Sequence, residues 1–240
     1  MLSKNEIKLI TRLQQKKYRL RTGFFIVEGV KNVNECINAG MTIQNIYATD
    51  NYKAPEGSTP VQRLSDSDLH KISALTTPNE VLAIVEIPER QPIEDNGLIV
   101  ALDGVRDPGN LGTIIRLCDW FGVKSLVCSQ DSVDCYNPKV VQATMGSIAR
   151  VDIYYSDLEH FLSQTTLPLF FTTIQGDNLY KVPKPENAVI VMGSESHGIR
   201  QPLLNIRHQA ITIPRRGDST IESLNVATAA AITINEFCKF

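Results

Sequence analysis

Five polar residues stand on three turns, each of which follows an apolar run and leads toward a helix-like stretch. Asn110 and Arg116 lie on residues 103–116, Glu195 on 193–200, and Ser223 and Asn225 within 211–240. The glycines of the first turn admit close backbone approach, and a helix beginning near Leu111 would offer free amides to an anion. Arg116, about a turn further in among apolar residues, suits a positioned cation. Glu195, just past the apolar run 188–192, suits a hydrogen-bond acceptor, with helix N-capping as the plain structural alternative. Pro214 stops the run 211–213, because a ring without an N–H cannot extend a sheet ladder. Ser223 and Asn225 then stand where the polar loop becomes a helix, a place where short polar side chains often serve only as caps. The case for one site rests on the three turns together, since functional groups of open α/β sheets gather beyond the carboxyl ends of the strands.

Several familiar chemistries are excluded or disfavoured. The first turn lacks the Lys-Ser/Thr of a Walker loop and the GxGxxG of a dinucleotide fingerprint. The second lacks the Gly-x-Ser-x-Gly of a hydrolase elbow, because Ser194 occupies the place of the first glycine. Five cysteines at irregular spacing without CxxC read as reduced core thiols, and four scattered histidines give no metal set, so no metal is expected.

The elements that must carry these turns follow from periodicity. With 240 residues, 42% apolar and 21% charged, the chain is an ordinary globular sequence with room for two domains. No run reaches the length of a membrane span and the amino terminus lacks a signal-peptide core, so a cytoplasmic location is expected. The net charge of −2 hides a basic amino-terminal end, where Lys4, Lys8, Arg12, Lys16, Lys17, Arg19 and Arg21 face the single acid Glu6. Ser3 and Glu6 have capping-box spacing, which predicts a helix along which Lys4, Lys8, Arg12 and Lys16 share a face. That face is either merely solvated or tracks phosphates. Strands are expected at 24–27, 43–48 and 80–87, with helices between them starting at Val30 and at Ser65-Asp66. Residues 88–97, polar with two prolines, read as a linker. The domains are therefore set at 1–88 and 97–240, with 89–96 between them. Beyond the linker, strands at 98–102, 125–128, 167–174, 188–192 and 211–213 alternate with helices, as in a parallel sheet covered on both faces.

The stretches Asn110-Leu111-Gly112-Thr113-Ile114-Ile115-Arg116, Val191-Met192-Gly193-Ser194-Glu195-Ser196-His197-Gly198 and Ile213-Pro214 with Glu222-Ser223-Leu224-Asn225-Val226 resemble, in order and spacing, the three motifs of the SpoU branch of the SPOUT RNA methyltransferases. Residues 23–29 are similar, more loosely, to the L30e-like substrate-binding domain that many members carry. The resemblance implies an α/β protein whose carboxyl-terminal domain holds a parallel sheet and a deep trefoil knot, with a smaller L30e-like domain before it. It implies a ribose 2′-O-methyltransferase that uses S-adenosylmethionine and pairs as a homodimer through the knotted domain. Carried over by position, Asn110, Arg116, Glu195, Ser223 and Asn225 form the catalytic side, and Gly193, Ile213 and Leu224 hold the cofactor; Thr172, Thr173 and Gly176, at a strand end and outside the three motifs, are expected to border it. Lys8, Arg12, Arg19 and Arg21 are expected to meet RNA, ribosomal RNA before transfer RNA. A non-catalytic RNA-binding protein of the same fold is the rival reading, and a small-molecule hydrolase the third.

Overall fold

The computed structural model describes residues 2–217 and 221–239, so the polar loop expected over 215–223 lies partly outside the described residues. Contacts divide the chain into two compact units, Met1–Glu89 with Asp134–Ala149, and Arg90–Val133 with Arg150–Phe240. The sequence reading gave 134–149 to the second domain, whereas these residues pack with the first unit. The reasons are specific. The helix Pro138–Thr144 packs on the strand Phe24–Glu28, Tyr136 meets the Phe25 ring at 4.6 Å, and Asn32 Nδ2 donates to Gln142 Oε1 at 3.2 Å. Gly146 sits so close to Glu35 that a Cβ would come within 2.6 Å of that side chain.

In the first unit, α1 (Lys4–Arg12) opens on the expected capping box, with Ser3 Oγ accepting from the Glu6 N–H and Glu6 accepting from the Ser3 N–H. It ends at Arg12 because the chain turns at the buried Leu13, so Lys16 is not on its face; Lys16 instead begins α2 (Lys16–Thr22). Then follow β1 (Phe24–Glu28), α3 (Val30–Asn38), β2 (Ile43–Ala48), β3 (Val61–Arg63), α4 (Asp66–Ile72) and β4 (Val81–Glu86). The sheet order is β1-β4-β2-β3, and Ile10, Leu13, Ile26, Ile72 and Leu82 fill its core.

The second unit holds β5 (Leu98–Asp103), α5 (Pro108–Trp120), β6 (Ser125–Ser129), β7 (Asp152–Ser156), α7 (Leu158–Gln164), β8 (Leu169–Asn178), β9 (Ala188–Gly193), α8 (Gln201–Leu204), β10 (Gln209–Thr212) and α9 (Val226–Phe237); α6 is the Pro138–Thr144 helix of the first unit. The strands form one parallel sheet in the order β10-β8-β9-β5-β6-β7. From β5 the chain steps outward to β6 and β7, then crosses to β8 on the far side of β9. Strand order thus reverses between β5 and β9, where Asp103 and Gly193 are register partners at the carboxyl ends. Clefts for ligands form at such switch points. Ile99, Val127, Phe171 and Val191 pack as core beneath. One helix boundary differs from expectation: α5 begins at Pro108, not near Leu111, because proline suits the first helical turn and Asp107 caps it, whereas α9 begins at Val226 directly after Asn225, at the expected change from loop to helix.

Candidate active site

The amino ends of α5 and α9 and the loop after β9 meet through three side chains. Asp107 Oδ1 accepts from the Asn110 N–H at 2.8 Å, which fixes Asn110 in the first turn of α5. Asn225 is the N-cap of α9, and its Oδ1 accepts from the Ala227 and Thr228 N–H groups at 3.0 and 3.2 Å. Capping and a role in the site are therefore not alternatives for Asn225. With Oδ1 committed to the helix, Nδ2 must point away, and it donates to Asn110 Oδ1 at 3.0 Å and to Glu195 Oε1. Asn110 Nδ2 donates to the same Glu195 oxygen at 3.0 Å, and the Val226 N–H reaches it at 3.4 Å. One carboxylate oxygen thus gathers two amides and a main-chain N–H, while Oε2 has no hydrogen-bond partner among the described residues. The arrangement is suited to orienting a polar reactant.

Arg116 and Ser223 lie outside this triangle. Arg116 is exposed on α5, about 9 Å along the axis from Asn110 at 1.5 Å per residue, and has no ion-pair or hydrogen-bond partner among the described residues. Ser223 is exposed on the irregular segment before the N-cap. Gly193 closes β9 where the loop folds back: Ser194 and Gly198 exchange main-chain bonds at 3.1 and 2.9 Å, and a Cβ on Gly193 would stand 2.0 Å from the Gly198 carbonyl carbon. Ile213, half-buried, packs with Phe170 and Ile211, whereas Leu224 is 46% exposed and Ile221 66%. These two exposed apolar side chains, in the segment running up to Asn225, offer apolar surface to the heterocyclic end of a cofactor, whereas the bare face of Gly193 is taken up by the Gly198 main chain, which leaves Gly193 its own peptide groups to offer. Thr172 and Thr173 use their hydroxyls on the carbonyls of Val191 and Gln175, and Gly176 answers to the sheet, since a Cβ there would lie 2.7 Å from the Ala210 carbonyl oxygen.

The sequence reading overlooked a second polar group. Asp103, wholly buried at the end of β5, accepts from the Arg200 main-chain N–H and Nε at 2.8 and 2.6 Å, and holds the guanidinium further above its ordinary range. Asp131 accepts from Ser129 Oγ and from Arg106 Nη2, and these bonds hold its carboxyl below the usual range. The signal was present: an aspartate directly after the apolar run 98–102 is a buried charge that must find a partner. Ser196 Oγ does lie 2.7 Å from His197 Nδ1, but both are exposed and no carboxylate orients the ring among the described residues, so the hydrolase reading gains nothing.

The four basic residues assigned to RNA divide. Lys8 and Arg21 are exposed and Arg12 is half-buried, but Arg19 is only 2% exposed. Its guanidinium pairs with Asp134 and donates to the Leu13 carbonyl, so Arg19 is a structural arginine and the expectation of direct RNA contact is corrected. Among the described residues no cluster of His, Cys, Asp or Glu could hold a metal ion, and no helix is long and apolar enough to cross a membrane.

A six-stranded parallel sheet with the amide–carboxylate triangle at its switch point defines an α/β protein of the SPOUT methyltransferase class. The chain belongs to the SpoU rRNA methylase family, whose model matches residues 97–235. Residues 4–83 match the MRM3-like substrate-binding domain. A protein described as a TrmH-family RNA methyltransferase from Porphyromonas gingivalis superposes with a TM-score of 0.90 at 37% identity, covering 99% of this chain and 98% of that one. An AdoMet-bound rRNA methyltransferase from Sinorhizobium meliloti superposes at 0.85 with 28% identity, covering 99% and 96%. The 23S rRNA (guanosine(2553)-2'-O)-methyltransferase RlmP of Bacillus subtilis is 28% identical over 230 residues, 93% of this chain and 92% of the relative.

Proposed function

We propose that the protein methylates a ribose 2′-hydroxyl of RNA with S-adenosylmethionine, acting on ribosomal RNA before transfer RNA. The observation that carries this reading is the triangle of Asn110, Glu195 and Asn225, which joins the three motif turns through one carboxylate oxygen. When bound, the cofactor supplies an electrophilic methyl group on a sulfonium. Gly193, Ile213 and Leu224 would hold it, largely through main-chain groups. Arg116, without an ion partner among the described residues, has its planar fork available to hold the hydroxyl and an adjacent phosphate together. A guanidinium holds its proton far above neutral pH, and stripping it would take up a large share of any barrier, so we assign Arg116 positioning and not proton abstraction. Asn110, Ser223 and Asn225 would orient the hydroxyl, and Glu195 keeps the amides in place. Most of the acceleration then comes from proximity.

A homodimer and a trefoil knot in the second unit belong to the same proposal. In favour of the dimer, Trp120 at the end of α5 is 82% exposed, and a cavity of about 470 Å³ nearby is lined by Phe121, Tyr180 and Ile232. In favour of the knot, β9 lies between β8 and β5, and the loop after it folds tightly onto Gly193. A cytoplasmic location rests on the sequence alone. The test is transfer of labelled methyl groups from S-adenosylmethionine to ribosomal and transfer RNA, with ribose methylation mapped by mass spectrometry. Label on a ribose 2′-oxygen of ribosomal RNA is expected; cofactor binding with no RNA methylation would support the non-catalytic reading instead.

A further inference from the structure

The corner between α1 and α2 is built from two adjacent residues that face opposite ways. Arg19 faces inward, with Nε and Nη2 on Asp134 at 3.0 and 2.5 Å and Nη1 on the Leu13 carbonyl at 2.8 Å. A buried guanidinium so paired fixes the path of the chain from the end of α1 into α2, because removing either partner would leave an uncompensated charge inside. Tyr18 faces outward. Its half-buried ring has Arg12 Cζ at 5.1 Å, Lys17 Nζ at 5.0 Å and Arg21 Cζ at 5.3 Å from its centroid. None of these three cations has an acidic partner among the described residues.

Attraction of a cation to the face of a ring near the surface is weak, so the Tyr18 ring can gather the three cations without neutralising them. All three lie within about one Debye length of each other, roughly 10 Å at ordinary ionic strength, and so act on an approaching polyanion as one charge. This basic corner stands on a chain whose net charge is −2, so it is a local feature and not a by-product of composition. Lys8, exposed and four residues before Arg12 on α1, extends it.

We infer that this corner is the docking site for the RNA phosphate backbone, with Tyr18 as the hub that presents Arg12, Lys17 and Arg21 to neighbouring phosphates and Arg19 as the internal brace that keeps the hub rigid. The inference rests on the RNA reading above and deepens it by dividing one basic run into contacts and a support. Phosphate contacts give affinity and register without sequence preference, which suits a surface that delivers RNA to a separate reactive centre.

The full chain is titrated with a labelled single-stranded RNA of about 20 nucleotides and mixed sequence across a salt series. Replacing Arg12, Lys17 and Arg21 together by alanine should weaken binding at least tenfold near 0.1 M salt and flatten the logarithmic salt slope by about 2, since each single-strand phosphate contact contributes roughly 0.7. Tyr18→Leu should weaken binding by a smaller factor, Tyr18→Phe should match wild type, and Lys53→Ala, an exposed cation elsewhere in the unit, should do nothing. Melting temperature should hold for all of these, whereas Arg19→Ala should melt lower. An unchanged slope in the triple variant overturns the inference. If wild type methylates RNA and the triple variant still binds it with wild-type affinity, the docking site fails while the methyltransferase reading stands. If the triple variant loses RNA but wild type transfers no methyl group, the reverse holds.

Discussion

Asp103 and Arg200 begin one polar turn and end another, and they are bonded to each other: the Arg200 main-chain N–H donates to one carboxylate oxygen at 2.8 Å and Nε to the other at 2.6 Å. The loop carrying Glu195 is therefore held at its far end by a wholly buried carboxylate and in its middle by Asn110 and Asn225.

Arg200→Ala should destabilise the protein by about 2–4 kcal/mol in urea unfolding, less than the roughly 3–5 of a fully buried pair because half of the arginine side chain is in water. Asp103→Asn in the same background should recover part of that loss by removing the stranded charge. Equal stability of Arg200→Ala and wild type would show that Asp103 finds its compensation elsewhere.

Asn225 offers a separation of two roles in one side chain. Asn225→Asp keeps an oxygen for the Ala227 and Thr228 N–H groups but loses the Nδ2 donor and sets a second carboxylate against Glu195. Helix stability should fall little, while methyl transfer falls on the order of a hundredfold or more, since small misplacement at a reacting group has that effect. Asn225→Ala should lose the cap as well, about 0.5–2 kcal/mol by thermal unfolding. Full activity in the aspartate variant would remove the triangle from the chemistry.

Arg116→Lys keeps a cation and loses the planar fork, and introduces a group with a reference pKa of about 10.4. If Arg116 positions, single-turnover methyl transfer should be slow at every pH between neutral and alkaline, with cofactor binding retained. A rise in rate toward alkaline pH, absent from wild type and from Arg116→Ala, would restore Arg116 as the proton acceptor.

Glu28 carries a pH dependence of the fold. It is buried on β1, and burial pushes its carboxyl above the ordinary 4.5, against the hydrogen bonds from Ser73 and the Ala74 N–H. A raised acid binds its proton more tightly in the folded chain than in the unfolded one, so stability is highest below the ordinary value and falls as pH rises through the folded value. Glu28→Gln, which still accepts from Ala74, should abolish that decline and be more stable than wild type at pH 7. Denaturant midpoints of the two proteins between pH 4 and 7.5 decide it, and parallel profiles would count against the raised value.

Local chemistry made much of this fold legible. Ser3 and Ser65 each mark the helix start that the structure places there, because a cap acts within a few residues of itself. The triangle residues were legible as motif positions, and Asn225 also as a cap. What stayed hidden depended on distant partners. Asp103 and Arg200 are 97 positions apart, and nothing in either neighbourhood names the other. Arg19 sits in a run of surface-like cations, so its burial follows only from Asp134, which a linear reading places in another domain. The three-residue β3 is too short to show a period.

The membership of residues 134–149 in the first unit also bears on how the protein is made. Arg19 and Asp134 are separated by 115 positions, so at synthesis rates of roughly 5–20 residues per second the arginine waits about 6–23 s for its carboxylate. During that interval β5, α5 and β6 are produced while the amino-terminal unit still lacks its brace and its covering helix. The unit begun first is thus completed only after part of the second has been made, and until then Arg19 lacks its carboxylate and Phe25 its neighbouring ring.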